Sequence, residues 1–364
     1  MNYPFVLIHG YDNFGNSFGK ACDIIREQGY ECYSPHIGPF TGMWDRACEL
    51  YAMLKGGTVD YGKVHSKKNH HKRYGKTYRG LIPDWGEMTP EGIKKINMIG
   101  HSFGGITIRM LLHLLVEGSA EEREGTEHGN LSPLFEGGHD GWINVVYTLA
   151  SPHNGTNTMD LIYPLHLAIY FSKYSKANIN SGSSKGNANL YDLDRFGFTS
   201  DTKHVFYRPI KIARLLLAKE DNIHYELTVE GMDMMTRNFR TYDDTYYFSV
   251  AADYTHHLLN SEVAYPISDI PKKYELSSKF MGFYFSHKYD KLWRPNDGRV
   301  PVASAMAPYR EPSILFDKDH IPRGVWNIMP VEKTFHSAYI GLEQDDETYY
   351  EYYANLAHFI AGLD

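Results

Sequence analysis

The stretch Ile96-Asn-Met-Ile-Gly-His-Ser-Phe-Gly-Gly105 constrains this chain more than any other. It predicts a short apolar strand, a sharp turn at Gly100–Gly104, and a helix through Ile106-Thr-Ile-Arg-Met-Leu-Leu-His-Leu-Leu115. The turn fits G-x-S-x-G, in which a serine occupies a strained strand-to-helix corner. Glycines two before and two after Ser102 leave space where a Cβ would strike the neighbouring strand and helix. The corner lifts the hydroxyl of Ser102 clear of the sheet, and the helix starting there aims free N–H groups at developing negative charge. A strand before the motif and an apolar helix after it distinguish this pattern from an ordinary Gly-rich turn.

The other elements agree with a sheet built around that corner. Phe5–Ile8, Glu31–Ser34, Ile143–Leu149, Thr245–Ala251 and a run ending at Lys333–Ser337 read as strands. Ala21–Gln28, Asp45–Leu54 and Tyr349–Leu363 read as helices. Strands interleaved with helices predict an α/β fold, a mostly parallel sheet covered on both faces. No internal repeat or long linker divides the 364 residues, so one domain, 1–364, with two insertions is the economical reading. Residues 58–90 lose apolar periodicity, carry His65, His70 and His71, and are too long for a simple connection. Their run Lys67, Lys68, Lys72, Arg73 reads as a solvated basic face. Residues 157–225 alternate helical apolar patches with a Ser/Gly/Asn-rich break, as a lid over an apolar cleft would; paired surface helices would look the same.

Composition narrows the rest. With 42% hydrophobic and 22% charged residues the chain has the make-up of a soluble globular protein. A net charge of −7, spread along the chain, argues against a nucleic-acid surface. No apolar run approaches a membrane span. Cys22, Cys32 and Cys48 allow one disulfide but no framework, so they leave the compartment open. No leader precedes Phe5–Ile8, which fits a protein that stays in the cell or one whose leader has been removed.

A serine nucleophile needs a histidine base, and the base needs a carboxylate to fix its tautomer. Folds built on such an elbow supply them in the order Ser, Asp, His. The best acid is Asp297, in a Pro-Asn-Asp-Gly turn, and the best base is His336, on a loop near the C-terminus. With 19 histidines in the chain, His320 is a rival base, and Asp290 and Asp317 are rival acids. The oxyanion hole needs two backbone N–H groups. Phe103, after the nucleophile, and Tyr11, in the His9-Gly10-Tyr11 turn after the first strand, are the expected donors.

Several blocks together give a specific resemblance. They are Trp44-Asp-Arg-Ala-Cys-Glu49, Gly56-Gly-Thr-Val-Asp-Tyr-Gly62, Gly75-Lys-Thr-Tyr78, the elbow, Leu131-Ser-Pro-Leu-Phe-Glu-Gly-Gly-His139, Pro152-His-Asn-Gly-Thr156, Asn296-Asp-Gly298 and Gly324-Val-Trp-Asn327. In this order, over nearly the whole chain, they resemble the zinc-containing bacterial lipases of thermophilic bacilli and staphylococci and their clostridial polyester-hydrolysing relatives. The resemblance implies an α/β-hydrolase fold, a zinc-binding insertion (41–90) and a helical lid (157–225). It also implies a carboxylic ester hydrolase acting on acylglycerol-type lipids at a lipid–water interface, with synthetic polyester as a side substrate and an extracellular location. By motif it places the triad on Ser102, Asp297 and His336. It places a structural zinc on Asp45, His65, His71 and Glu226, although the usual fourth ligand is Asp; His70 is a rival of its neighbour. The family's calcium position is Ala338 here, so no calcium is expected. Two other readings follow from the residues: a hydrolase working through the metal, and a binding module that kept the fold without the activity.

Overall fold

The structure is a computed structural model that describes residues 2–11, 17–160, 163, 221–258, 261–284 and 291–363. Most of the expected lid (157–225) lies outside the described residues. The rest is organised by a seven-stranded sheet: β1 (Phe5–Ile8), β2 (Cys32–Tyr33), β3 (Ile96–His101), β4 (Ile143–Leu149), β5 (Tyr246–Val250), β6 (Ser313–Leu315) and β7 (Trp326–Ile328). Their order is β6-β7-β5-β4-β3-β1-β2, and every neighbouring pair is parallel.

Parallel strands need crossovers, and the crossovers lay helices on both faces, so the central strands are apolar on both sides. Every residue of β3 and β4 is buried. Alternation sorts the side chains between two cores. Val6, Ile8, Met98, Val146 and Tyr247 face one core with α2 (Met43–Lys55) and α3 (Phe103–Glu117). Phe5, Leu7, Ile99, Val145, Tyr147 and Phe248 face the other, with α1 (Ala21–Glu27) and α4 (Asp346–Ala361).

Two strands depart from the sequence reading. The run ending at Lys333–Ser337 is not a strand: β7 ends at Ile328, and a loop carries the chain on to His336. The edge strand β6 is short and half exposed, without the apolar alternation that marks a strand in sequence.

The segment after α2 is locally organised, as its length required. Gly57–Asp60 and Tyr74–Tyr78 pair antiparallel, with a short helix, Lys63–Lys68, between them. Arg73, expected on a solvated face, instead clamps this hairpin with two bonds to Asp60, 2.9 and 2.8 Å. The indole N–H of Trp44 donates to the Tyr61 carbonyl and fixes the segment to α2.

Cys22 in α1 is disulfide-bonded to Cys32 in β2, and Cys48 is free and buried. The bond closes a loop of sequence separation 10. Replacing both cysteines by Ala should lower the unfolding free energy by about 2–3 kcal/mol, read by urea titration, because a short loop is released in the unfolded chain. No change in midpoint would mean that the bond adds nothing to the packing around it.

Candidate active site and metal centre

Ser102 sits between β3 and α3 with φ 56° and ψ −128°, a positive φ that a side chain rarely adopts. Close packing holds it there. A Cβ on Gly104 would lie 2.0 Å from the Ile8 carbonyl oxygen, and one on Gly100 would lie 2.5 Å from the Gly105 nitrogen. From the other side, a Cβ on Gly10 would lie 2.7 Å from the Ser102 Cβ. The loop after β1 therefore presses against the serine, and Tyr11 follows Gly10 directly in that loop.

Asp297 and His336 come together from two loops. The Asp297 Oδ2 lies 2.7 Å from the His336 Nδ1, and both side chains are buried. Oδ1 of Asp297 accepts from the Arg299 and Val300 amides at 2.8 and 2.7 Å, so both oxygens of the carboxylate are fixed. The His336 amide donates to the Asp297 carbonyl. His101, beside the serine, lies 2.8 Å through its Nε2 from the His336 carbonyl, which ties the histidine loop to the end of β3. The rival base His320 and rival acid Asp317 are exposed on a turn after β6, and Asp290 lies outside the described residues.

At the start of the loop after β1, burial and the nearby Arg46 charge pull the His9 ring down to about 3, so it is neutral. Its Nδ1 donates to the Gly10 carbonyl at 2.9 Å while Nε2 accepts from the Ile37 amide. The Arg46 guanidinium is fully buried: it donates to the carbonyls of His9 and Gly38 and to the Thr107 hydroxyl.

A second cluster gathers on α2 and its following hairpin. Asp45, His65, His71 and Asp221 offer ligand atoms that all lie within 4.8 Å of one another. His65 Nε2 is 3.2 Å from Asp45 Oδ1, and His71 Nε2 is 3.7 Å from Asp45 Oδ2 and 3.5 Å from Asp221 Oδ2. A tetrahedral ion with bonds of about 2.0–2.1 Å would space its ligands about 3.3–3.4 Å apart. The donor set fits such an ion. The Nδ1 of His71 faces the Lys72 carbonyl at 2.9 Å, which leaves Nε2 unprotonated for a metal. The ring of His65 stacks on Trp44, 4.9 Å between centroids.

The fourth member of the group is thus Asp221, in place of the expected Glu226. The Glu226 carboxylate instead accepts the Met43 amide at the start of α2, 2.7 Å, and burial pushes its acid up to about 7. Glu226 stands directly before Leu227-Thr-Val229, and Glu in place of the usual Asp was the available signal, with an Asp five residues upstream. His70 is exposed and outside the group. Sequence reasoning also missed Arg46, His101 and His224, since buried polar side chains that support a loop carry no spacing rule.

A parallel sheet with a serine on its strand-to-helix corner, and a His–Asp pair from later loops, defines an α/β-hydrolase. Comparison with known proteins narrows the class. The chain matches the family described as "Lipase-like, C-terminal domain" over residues 2–364 and belongs to it. It is 32% identical to Lipase 1 of Staphylococcus aureus over 94% of its length, and 31% identical to Lipase 2 of that organism over 99%. It spans about half of each of those relatives, 51% and 53%. Among solved structures it resembles the Staphylococcus hyicus lipase (TM-score 0.85, 30% identity, 99% of this chain and 95% of that one). It also resembles EstA from Clostridium botulinum (0.81, 32%, 99% and 87%) and Lipase 1 from Pelosinus fermentans (0.79, 31%, 100% and 99%). Among the described residues no helix is long and apolar enough to cross a membrane.

Burial holds three imidazoles neutral: His9 at about 3, with His101 and His153 well below the ordinary value. Below the unfolded value near 6.5, the unfolded chain binds protons there that the folded chain does not, so stability is lost as pH falls. Glu226, raised to about 7, binds a proton in the folded state first and partly offsets that loss. Between pH 7.5 and 5.5 the unfolding free energy should fall by on the order of 2 kcal/mol, measured by urea titration at each pH. A rise over that interval would contradict the neutral assignments.

Proposed function

We propose that the chain is a serine carboxylic ester hydrolase acting on lipid-type esters. The observation that carries this reading is the buried Asp297–His336 bond, tied through His101 to a strained serine corner, in a chain of the lipase-like family. Ser102 attacks the ester carbonyl and His336 takes its proton. Asp297 holds the imidazole in the required tautomer, and the amides of Tyr11 and Phe103 receive the oxyanion. His336 returns the proton to the departing alcohol, and water resolves the acyl-enzyme by the reverse route.

Asp45, His65, His71 and Asp221 hold a structural zinc in this reading. Two imidazoles and two carboxylates complete a tetrahedron and leave no open position, so when bound the ion supplies cross-linking. Polyester as a further substrate, and action at a lipid–water interface, belong to the same proposal. So does secretion, which the Cys22–Cys32 disulfide supports because such bonds persist in oxidising surroundings.

The test is hydrolysis of p-nitrophenyl esters from acetate to palmitate. Ser102→Ala should abolish turnover, and Asp297→Asn should lower kcat on the order of 10⁴-fold, since the histidine loses its tautomer. Preference for medium or long chains supports a lipase. Cleavage of acetate and butyrate alone makes the protein a short-chain esterase. Turnover surviving in Ser102→Ala sinks the triad.

Metal analysis of the purified protein should find about one zinc per chain. Chelation should lower the thermal midpoint while leaving the first minutes of turnover intact. Immediate loss of turnover on chelation, before unfolding, would place the chemistry on the metal.

A further inference from the structure

His224 lies against the loop that carries the Tyr11 amide. Its Nε2 is 3.0 Å from the Tyr11 hydroxyl, and the two rings meet edge to face at 5.3 Å. His224 itself is buried and belongs to a short helix, Ile223–Glu226, three residues past Asp221. Its own amide donates to the side chain of Asn222, which starts that helix.

This helix is locked onto α2. A Cβ on Gly42 would lie 2.8 Å from the Asp221 Cα and 2.5 Å from the Glu226 Oε1, so the chain entering α2 packs directly on this segment. Glu226 accepts the Met43 amide across the same contact. The four-residue ligand group joins them again, with Asp45 on α2 and Asp221 at the head of the second segment.

The loop His9-Gly10-Tyr11 is therefore gripped at both ends by residues adjoining that group. Arg46, next to Asp45, donates to the His9 carbonyl; His224, three residues past Asp221, holds the Tyr11 hydroxyl. Between the two lies Gly10, packed on Ser102.

We propose that His224 is a positioning residue for the oxyanion hole, aiming the Tyr11 amide by holding the Tyr11 side chain to the segment anchored at Asp221. The tyrosine serves twice, its backbone toward the substrate oxyanion and its hydroxyl toward the anchor. A donor shifted by a fraction of an ångström loses most of its effect on the transition state and little of its effect on ground-state binding. The tie thus acts on kcat. The inference rests on the serine-hydrolase reading above.

The experiment compares Tyr11→Phe, His224→Phe, the double variant and His224→Gln in the zinc-loaded protein, with p-nitrophenyl butyrate as substrate. Each single Phe variant should lose about tenfold in kcat with KM within about twofold of wild type. The double variant should lose no more than the larger single loss, because both remove one bond. His224→Gln, which keeps a hydrogen-bonding group, should recover most of the rate. Inhibition by butylboronic acid, whose tetrahedral serine adduct places an oxygen in the hole, should weaken in step with kcat. Metal content should stay unchanged.

Wild-type kcat in Tyr11→Phe overturns the proposal, and so do losses that multiply in the double variant. A rise in KM matching the fall in kcat, or loss of metal, would mark a merely structural contact and also overturns it. Should His224→Phe fail to fold, Tyr11→Phe, which removes a single oxygen atom, decides alone. Ser102→Ala separates the two levels. If it stays active, the hydrolase reading fails; if it is dead while both Phe variants are normal, only the tie fails.

Discussion

The buried guanidinium of Arg46 is the contact on which the site depends. Its bonds go to the His9 carbonyl, the Gly38 carbonyl and the Thr107 hydroxyl. These belong to the loop after β1, the loop before α2, and the helix that follows Ser102. A guanidinium presents its donors in a rigid planar fork, so it sets the relative positions of all its acceptors at once. Lysine, a point charge on a flexible stem, could satisfy one of them. The cation also lies 5.7 Å from the centre of the Phe103 ring, the residue whose amide would meet the oxyanion. Burying such a charge is costly unless it is hydrogen-bonded and balanced. Three neutral acceptors supply the bonds, and Glu226, within electrostatic reach, supplies part of the balance.

Strain at the serine follows from the same packing. A side chain at φ 56° costs on the order of 1–3 kcal/mol and persists only where its surroundings leave no alternative. Here three glycines remove the alternatives: Gly104 lets α3 approach the Ile8 carbonyl, Gly100 lets β3 approach Gly105, and Gly10 lets the loop after β1 close on Ser102. The motif's glycines are thus demands of backbone approach, and the third one, Gly10, lies outside the motif. Asp221 also has a positive φ, 53°, where the chain turns to bring its carboxylate to the histidines. Both positions hold groups whose direction matters.

The sheet was readable because its central strands obey a strong rule. A run buried on both faces must be almost wholly apolar, and Phe5–Ile8, Ile96–Ile99 and Ile143–Leu149 are. The edge strand β6 and its neighbour β7 were not readable: each has three residues, and their pairing is decided by tertiary contact. The elbow and the Asp297–His336 pair followed from chain order and turn chemistry. Asp221 did not, because its part in the group depends on where the backbone turns, and a turn at a non-glycine positive φ leaves no mark in composition. Arg46 stands in the block Trp44–Glu49, but nothing there marks its role, because its bonds to three separate segments exist only in the folded chain. The disulfide was one of three pairings that three cysteines allow, and the adjacency of α1 and β2 selects it.

Asp45 and Asp221 bring two carboxylates into the interior within a few ångströms of each other, and both are nearly inaccessible to solvent. Two buried like charges at that separation repel strongly in a medium of low dielectric constant, and a divalent cation between them reverses the sign. Without a cation that repulsion would loosen the segments that carry them, and these segments flank the loop after β1 through Arg46 and His224. A group with all four tetrahedral positions filled by protein has no room to activate water. An ion held there would act more slowly, by keeping two distant parts of the chain packed together so that the fold around the serine does not loosen with time.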